Sequence, residues 1–167
     1  NTPGGIASFS AGHDAHGNPD VFALASDGTF WRDDAGIWTK LRGAHIVQSF
    51  AAVDGGRVYA ILNDNLLHEY NGSTWSSIPT ATTVKSLDAV TDTSNRDTVF
   101  VKESDGSFWD EVQFDPGSGF QEDKLANGGK SISRVSTFSA GLNAQGNADV
   151  YAILRTTYGT TTLEKNI

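Results

Sequence analysis

The sequence contains no cysteine, no methionine, only 4 prolines, and 12 lysines and arginines against 20 aspartates and glutamates. Without cysteine, the chain cannot form a disulfide, a thiolate metal site or a cysteine nucleophile. Its formal net charge of −8 is not offset by any basic cluster, so nucleic acid and anionic membrane surfaces are poor partners. No apolar run approaches the ~18 residues of a membrane-spanning helix, so we expect no membrane insertion.

The residues that are plentiful are those of short strands and tight turns. Glycine occurs 18 times among 167 residues, and Ser, Thr, Asn and Asp are common. A hydrophobic fraction of 38% with 10% aromatic residues argues against disorder. The chain opens with Asn-Thr-Pro-Gly-Gly, which is typical of a mature or excised segment.

An internal repeat carries the fold prediction. A strand that begins with valine and an aromatic residue, followed by alanine or valine, recurs with spacings of 37, 41 and 51 residues, which fall around the period of a four-stranded propeller blade. These strands are Val21–Leu24, Val58–Ile61, Val99–Val101 and Val150–Ile153.

Each copy divides into the same four predicted strands. The Val-aromatic strand lacks polar alternation, which indicates burial on both faces. In two copies it is followed by an Asp-Gly turn, at 27–28 and 105–106, which favours a hairpin. The sequence therefore predicts an all-β fold, a β-propeller of four-stranded antiparallel blades with about four repeats. We expect one domain over 1–167, with repeats at approximately 6–47, 48–85, 86–132 and 133–167.

The last copy ends after its third predicted strand. Such a copy leaves an unpaired strand edge, which folded proteins normally cover. We expect association with a second copy, or a longer parent chain, to complete the ring in preference to a self-closed four-bladed ring.

The combination "FSAG…DVFALASDGTFW…GIWTKL" in the first copy resembles the blades of tectonin/tachylectin-2 and fucose-binding-lectin-type β-propellers. The resemblance implies sugar binding between adjacent blades through aromatic and polar residues. Trp31 and Trp109 lie in third strands, where packing between blades is the expected role. Trp38 and Trp75 open outer strands beside glycine turns, where a sugar ring can stack on them. The predicted ligand-binding residues are Trp38, Trp75, Tyr70, Asn71, Arg32 and Asp33.

A weaker resemblance is to calcium-binding FG-GAP propeller blades, which carry an acidic loop before the core strand. The segments 12–20 and 141–149 occupy that place. Calcium requires roughly six to eight oxygen ligands, whereas each loop offers only one or two carboxylates. His13 and His16 flank Asp14, but no third metal ligand accompanies them. We expect glycine turns here, with no metal and no cofactor.

No motif of the sequence indicates catalysis. There is no Gly-x-Ser-x-Gly elbow, and the paired acids lie at predicted turns or strand ends. The prediction is a non-enzymatic, lectin-like carbohydrate-binding module with a glycan as partner. We expect such a module to be extracellular or on the cell surface. The alternative is a structural or protein-interaction scaffold without a sugar site.

Overall fold

The computed structural model describes residues 2–80, 82–113, 120–124, 126–127, 130–131, 135–156 and 159–166. Side chains are described for 2–80, 82–110 and 135–154. All regular structure in these ranges is β-strand, as the sequence predicts. The described residues contain no helix long and apolar enough to cross a membrane.

The strands follow one another in short segments joined by turns. In chain order they are β1 Ile6–His13, β2 Pro19–Ala25, β3 Phe30–Asp34, β4 Ile37–Arg42, β5 Val47–Val53, β6 Arg57–Leu62, β7 Leu67–Tyr70, β8 Trp75–Ile78, β9 Val84–Thr91, β10 Asp97–Glu103, β11 Phe108–Gln113, β12 Phe120–Lys124, β13 Ala126–Asn127, β14 Lys130–Ser131, β15 Val135–Leu142, β16 Ala148–Thr156 and β17 Gly159–Asn166.

These strands form four antiparallel meanders. The first sheet has the order β1-β2-β3-β4, the second β5-β6-β7-β8, the third β9-β10-β11-β12, and the fourth β15-β16-β17. The strands β13 and β14 form a separate two-stranded ribbon. Each sheet is one repeat of the sequence, and the fourth has three strands, as predicted. The chain divides into two compact units, 1–79 with the first two sheets and 80–167 with the last two; the single-domain boundary stays a prediction.

The core of the first unit lies between its two sheets. Side chains alternate across each strand, so one face of the first sheet carries Phe22 and Phe30, both fully buried. Phe30 packs edge-on against Phe50 of the second sheet at a centroid distance of 4.8 Å. Phe22 packs in the same way against Tyr70, at 6.4 Å. Aromatic rings therefore join adjacent repeats within this unit.

The second unit repeats this arrangement with the same positions. Phe108 of the third sheet packs on Phe138 of the fourth at a centroid distance of 4.7 Å. The carboxylate Oδ2 of Asp88 accepts the Ala140 N–H at 2.8 Å. In the first unit the equivalent contact is from the Ala52 N–H to the Ser10 hydroxyl, at 2.9 Å. In each unit, the first strands of the two sheets are thus joined by a backbone N–H that donates to a side-chain oxygen.

The Asp-Gly turns are built by their side chains. Asp27 accepts hydrogen bonds from the Thr29 N–H and hydroxyl, and the Thr29 hydroxyl accepts the Trp31 indole N–H at 2.6 Å. The third sheet has the same relay, in which Ser107 links Asp105 to Trp109. Trp31 is buried with a 9% exposed fraction. This relay satisfies the indole N–H of an otherwise apolar ring.

Candidate functional site

The strongest polar feature of the first unit is an ion pair between Arg32 on β3 and Asp20 on β2. The Arg32 Nε donates to both Asp20 carboxylate oxygens at 3.0 Å, and Nη2 lies 2.8 Å from Oδ2. Asp20 is completely buried, whereas the Arg32 side chain keeps 15% of its surface exposed. The pair thus holds the guanidinium in a fixed orientation, and part of the Arg32 side chain remains accessible.

The electrostatics of this pair favour a permanent charge on Arg32. Burial alone would lower the pKa of the guanidinium. The hydrogen bonds that Arg32 donates to Asp20, and the charges of Asp20 and Asp34, outweigh burial and raise the Arg32 pKa above its usual value. The guanidinium remains protonated, and its charge is balanced by the buried carboxylate.

The ion pair lies against the second sheet. The Arg32 guanidinium carbon stands 5.8 Å from the centre of the Phe22 ring, which itself packs on Tyr70. A Cβ atom on Gly56, in the turn between β5 and β6, would lie 2.8 Å from Arg32 Nη2 and 3.4 Å from Asp20 Oδ2. The glycine therefore makes room for the ion pair where the two sheets meet.

Tyr70 and Trp75 form the aromatic part of the same interface. Tyr70 is buried, and its hydroxyl donates to the Gly72 carbonyl at 2.8 Å. The half-buried Trp75 ring packs on Tyr70 at 5.3 Å, and the Arg42 guanidinium lies 4.8 Å from the indole centre. The Nε of Arg42 is buried and has no hydrogen-bond partner among the described residues. Arg32, Tyr70 and Trp75 are thus brought together where the two sheets meet.

Asn71 follows Tyr70 and has a turn-forming role. Its Oδ1 accepts the backbone N–H groups of Ser73 and Thr74 and also lies within hydrogen-bond distance of both hydroxyls. This is an Asx turn, which fixes the hairpin between β7 and β8. The side chain is exposed at the rim of the interface, but its carbonyl oxygen is already engaged.

The structure places the other two predicted site residues on the opposite face of the first sheet. Val21, Asp33 and Trp38 are opposite one another across β2, β3 and β4. In the second sheet the equivalent residues are Val58, Tyr70 and Trp75. Asp33 and Trp38 are thus the positional counterparts of Tyr70 and Trp75, but they do not share a site with Arg32.

Sequence reasoning missed Asp20, Gly56 and the two buried charges of the second sheet. Arg57 and Glu69, each 9% exposed, occupy the positions that Asp20 and Arg32 occupy in the first sheet. The order of the charges is reversed between the two repeats. An alignment of repeats by charge, in addition to aromatic residues, would have revealed this recurring buried acid and base.

The glycine turns that resemble calcium loops satisfy their own carboxylates. One Asp14 oxygen accepts the N–H groups of His16 and Asn18, and the other accepts the Asn18 side-chain amide. The Asn18 side-chain and backbone hydrogen bonds lower the pKa of Asp14 to about 2. In the fourth sheet Asn143 accepts the equivalent backbone N–H groups, without a carboxylate. His13 pairs with Asp54, 2.9 Å away. These turns are thus closed by hydrogen bonds within the chain.

No family model matches the sequence. No curated protein matches it either. Solved structures do match along nearly the whole chain. Aleuria aurantia lectin in complex with alpha-methyl-L-fucoside is 16% identical with a TM-score of 0.57, over 98% of this chain and 59% of the lectin. SapL1 lectin in complex with alpha methyl fucoside is 19% identical with a TM-score of 0.58, over 100% of this chain and 63% of that one. The chain has the β-propeller fold of these lectins.

The propeller fold is shared with proteins of another kind. BBS1N, solved in complex with ARL6DN, is 14% identical with a TM-score of 0.60, over 95% of this chain and 50% of that one. The chain thus spans about three-fifths of the length of the lectins and half of BBS1N. At these identities the comparison shows the fold, and function has to be inferred from the site.

Proposed function

We propose that this chain is a non-catalytic, lectin-like β-propeller module that binds a neutral sugar at the meeting point of its first two sheets. The observation that carries the proposal is the Arg32 guanidinium, which buried Asp20 holds in place while 15% of the side chain stays exposed. Tyr70 and Trp75 lie in the same interface. The proposed site joins a fixed hydrogen-bond donor to aromatic rings, which is the chemistry that sugar recognition uses.

The charge balance of the site disfavours an anionic ligand. Asp20 compensates the Arg32 charge, and the half-exposed Asp34 adds a second carboxylate 3.8 Å from Arg32 Nη2. A guanidinium presents several N–H donors in one plane, which suits neighbouring hydroxyl groups. The fucosides bound by the two lectins described above are neutral sugars of this kind, and alpha-methyl-L-fucoside is therefore the first ligand to test.

The residues of this site favour binding over catalysis. Glycoside hydrolysis requires one carboxyl group that can give up a proton and a second that acts as base or nucleophile. Asp20 is engaged by Arg32 through three contacts of 2.8–3.0 Å. Both Asp20 oxygens are occupied by the guanidinium, and the residue is completely buried, so it cannot reach a glycosidic bond. We therefore propose an extracellular or cell-surface binding module without enzymatic activity.

A second candidate function is a protein-interaction scaffold. Phe9 and Ile37 of the first sheet are each 71% exposed, and a neighbour of the same fold was solved in complex with another protein. Phe9 is opposite Ala23 and Ile37 is opposite Asp34, so they lie on opposite faces of the sheet, and protein partners would cover them in two separate contacts. In this case a second copy, or further blades of a longer parent chain, would be the first partner to seek.

A glycan array separates the two candidates. If the sugar-binding proposal is right, labelled protein binds a defined subset of neutral glycans, and free ligand competes for that binding. If no glycan of a broad array binds at micromolar protein concentration, the sugar proposal fails. The scaffold candidate is then tested by measuring the mass of the protein in solution.

A further inference from the structure

We infer that the first sheet carries a second small-molecule site, on the face opposite Arg32, and that this site takes a ligand with an ammonium group. The inference rests on a cavity beside Asp33. It does not depend on the proposed sugar site, because the two sites lie on opposite faces of the sheet and share no residue.

The cavity lies where the turns after β1 and β3 approach each other. Its volume is about 420 Å³, within the range of small-molecule sites in proteins. Most of its wall is small and apolar, and Asp33 and Asn18 contribute polar groups. The lining residues are Asn18, Pro19, Val21, Asp33, Ala35 and Gly36.

Asp33 is the chemically distinctive residue of this wall. Its Oδ1 is buried and has no hydrogen-bond partner among the described residues. The neighbouring guanidinium of Arg32 does not compensate it, since Arg32 points to the other face of the sheet and binds Asp20. A buried carboxylate oxygen without a donor is costly to leave unsatisfied. Asp33 lines the cavity, and a rotation of its carboxylate would bring this oxygen to a donor of a bound ligand, which would remove this cost.

The negative charge of Asp33 determines which donor group of a ligand is favoured. A carboxylate with no paired cation favours a positively charged partner over a neutral one, and partial burial strengthens that preference. Trp38 is opposite Asp33 in the β3–β4 pairing and therefore shares its face of the sheet. An aromatic ring beside a carboxylate is a favourable environment for an ammonium group. Val21 and Pro19 supply an apolar wall for the body of the ligand.

In the second sheet, the position equivalent to Asp33 is filled by side-chain packing and borders no part of this cavity. There Tyr70 replaces Asp33, its hydroxyl is satisfied by Gly72, and Phe22 of the first sheet packs against its ring. In the first sheet the residue at this position is a carboxylate, and it borders a cavity. The substitution of an aromatic residue by an acid converts a packing position into a polar one.

The test uses three sugars that share one ring and differ only in the group at the second carbon. D-glucosamine carries an ammonium group at about pH 6, whereas D-glucose and N-acetyl-D-glucosamine do not. Binding is followed by chemical-shift changes of the backbone amides in the ¹⁵N-labelled protein. We expect glucosamine to shift the amides of Val21 and Ala35 and to bind at least about tenfold more tightly than the two neutral sugars.

Two variants locate the effect. Asp33→Asn should abolish glucosamine binding, whereas Asp54→Asn, which removes an equal charge from another turn of the same unit, should leave it unchanged. Neither variant should alter any fucoside binding that depends on Arg32. Equal binding of glucosamine and glucose would overturn the ammonium assignment. The absence of shifts at Val21 and Ala35, or retention of glucosamine binding by a folded Asp33→Asn protein, would overturn the site itself.

Discussion

A Cβ atom on Gly56 would lie 2.8 Å from Nη2 of Arg32, closer than real Cβ contacts allow. Gly56 also has a φ of +70°, in the left-handed region that favours glycine. Two independent constraints therefore fix glycine at this position: the backbone of the turn, and the space that the Arg32–Asp20 pair occupies.

Substitution of Gly56 by alanine should cost more stability than the backbone conformation alone explains. Gly17 is the matched control, because its φ is +81° but a Cβ there meets no atom within 4 Å. We expect Gly17→Ala to lower the free energy of unfolding by about 1–2 kcal/mol, the cost of the left-handed conformation. Gly56→Ala should lower it further, because Arg32 must move. Equal urea midpoints for the two variants would contradict this packing.

The two tryptophans at equivalent positions should differ in their contribution to stability. Trp75 packs on Tyr70 and belongs to the partly buried shell of the core between the first two sheets. Trp38 lies on the other face, outside that cluster. We expect Trp75→Ala to lower the free energy of unfolding by about 3 kcal/mol, at the lower end for a buried aromatic residue. Trp38→Ala should cost clearly less in the same denaturation experiment, and a reversed order would show that the assignment of faces is wrong.

Acid stability should depend measurably on Asp14. Its pKa in the folded protein is about 2, below the usual 3.8, because Asn18 hydrogen-bonds the carboxylate. Since the folded pKa is depressed, the stabilisation is complete above about pH 4 and is lost as the pH falls toward 2. Asp14→Asn imitates Asn143 of the fourth sheet and removes this titration. The difference in urea midpoint between the parent protein and the variant should shrink between pH 5 and pH 2. A difference that stays constant over this range would contradict the prediction.

The hairpin between β3 and β4 should be stabilised by a glycine at position 35. Ala35 has a φ of 51°, and together with Gly36 it forms a turn with two left-handed residues. Ala35→Gly should raise the free energy of unfolding by about 1 kcal/mol, because alanine is strained there. Ala44 has no such φ, so Ala44→Gly should instead have no effect or lower stability slightly. Thermal denaturation of both variants tests the difference in sign.

Much of the fold follows from local features of the sequence. The Val-aromatic strand recurs in every repeat and is buried along its whole length in β6, as predicted for a strand covered on both faces. In the fourth sheet the prediction is wrong for one face, since Tyr151 of β16 is 46% exposed. The three-stranded last sheet was likewise evident from where the repeat pattern stops. The Asp-Gly turns were predicted, but not their form: Gly28 has a φ of +79°, whereas Asp27 keeps an ordinary φ and uses its side chain to bind Thr29.

The site was harder to predict, because it depends on which face each side chain occupies. Arg32 and Asp33 are neighbours in sequence but lie on opposite faces of the sheet. The register also determines that Trp38 is grouped with Asp33, whereas Trp75 is grouped with Tyr70. Asp20 could have been found as the partner of Arg32 only by pairing β2 with β3. Aromatic residues were predicted as a class, but their division between two faces needed the three-dimensional structure.

The central claim is that Arg32 is the recognition group of a neutral-sugar site. Arg32→Lys keeps the charge opposite Asp20 but loses the planar donor geometry. Arg96 provides the matched control, because it forms a similar ion pair with buried Asp92 in a turn of the second unit. The lysine variants of both residues can therefore be compared at equal net charge, after melting curves show that each is folded.

The most direct measurement is calorimetric titration of alpha-methyl-L-fucoside into the parent protein, Arg32→Lys and Arg96→Lys. The account predicts saturable binding to the parent protein and to Arg96→Lys, and an affinity at least about tenfold weaker for Arg32→Lys. Unchanged affinity in a folded Arg32→Lys protein, or no heat of binding from the parent protein at millimolar fucoside, would contradict it.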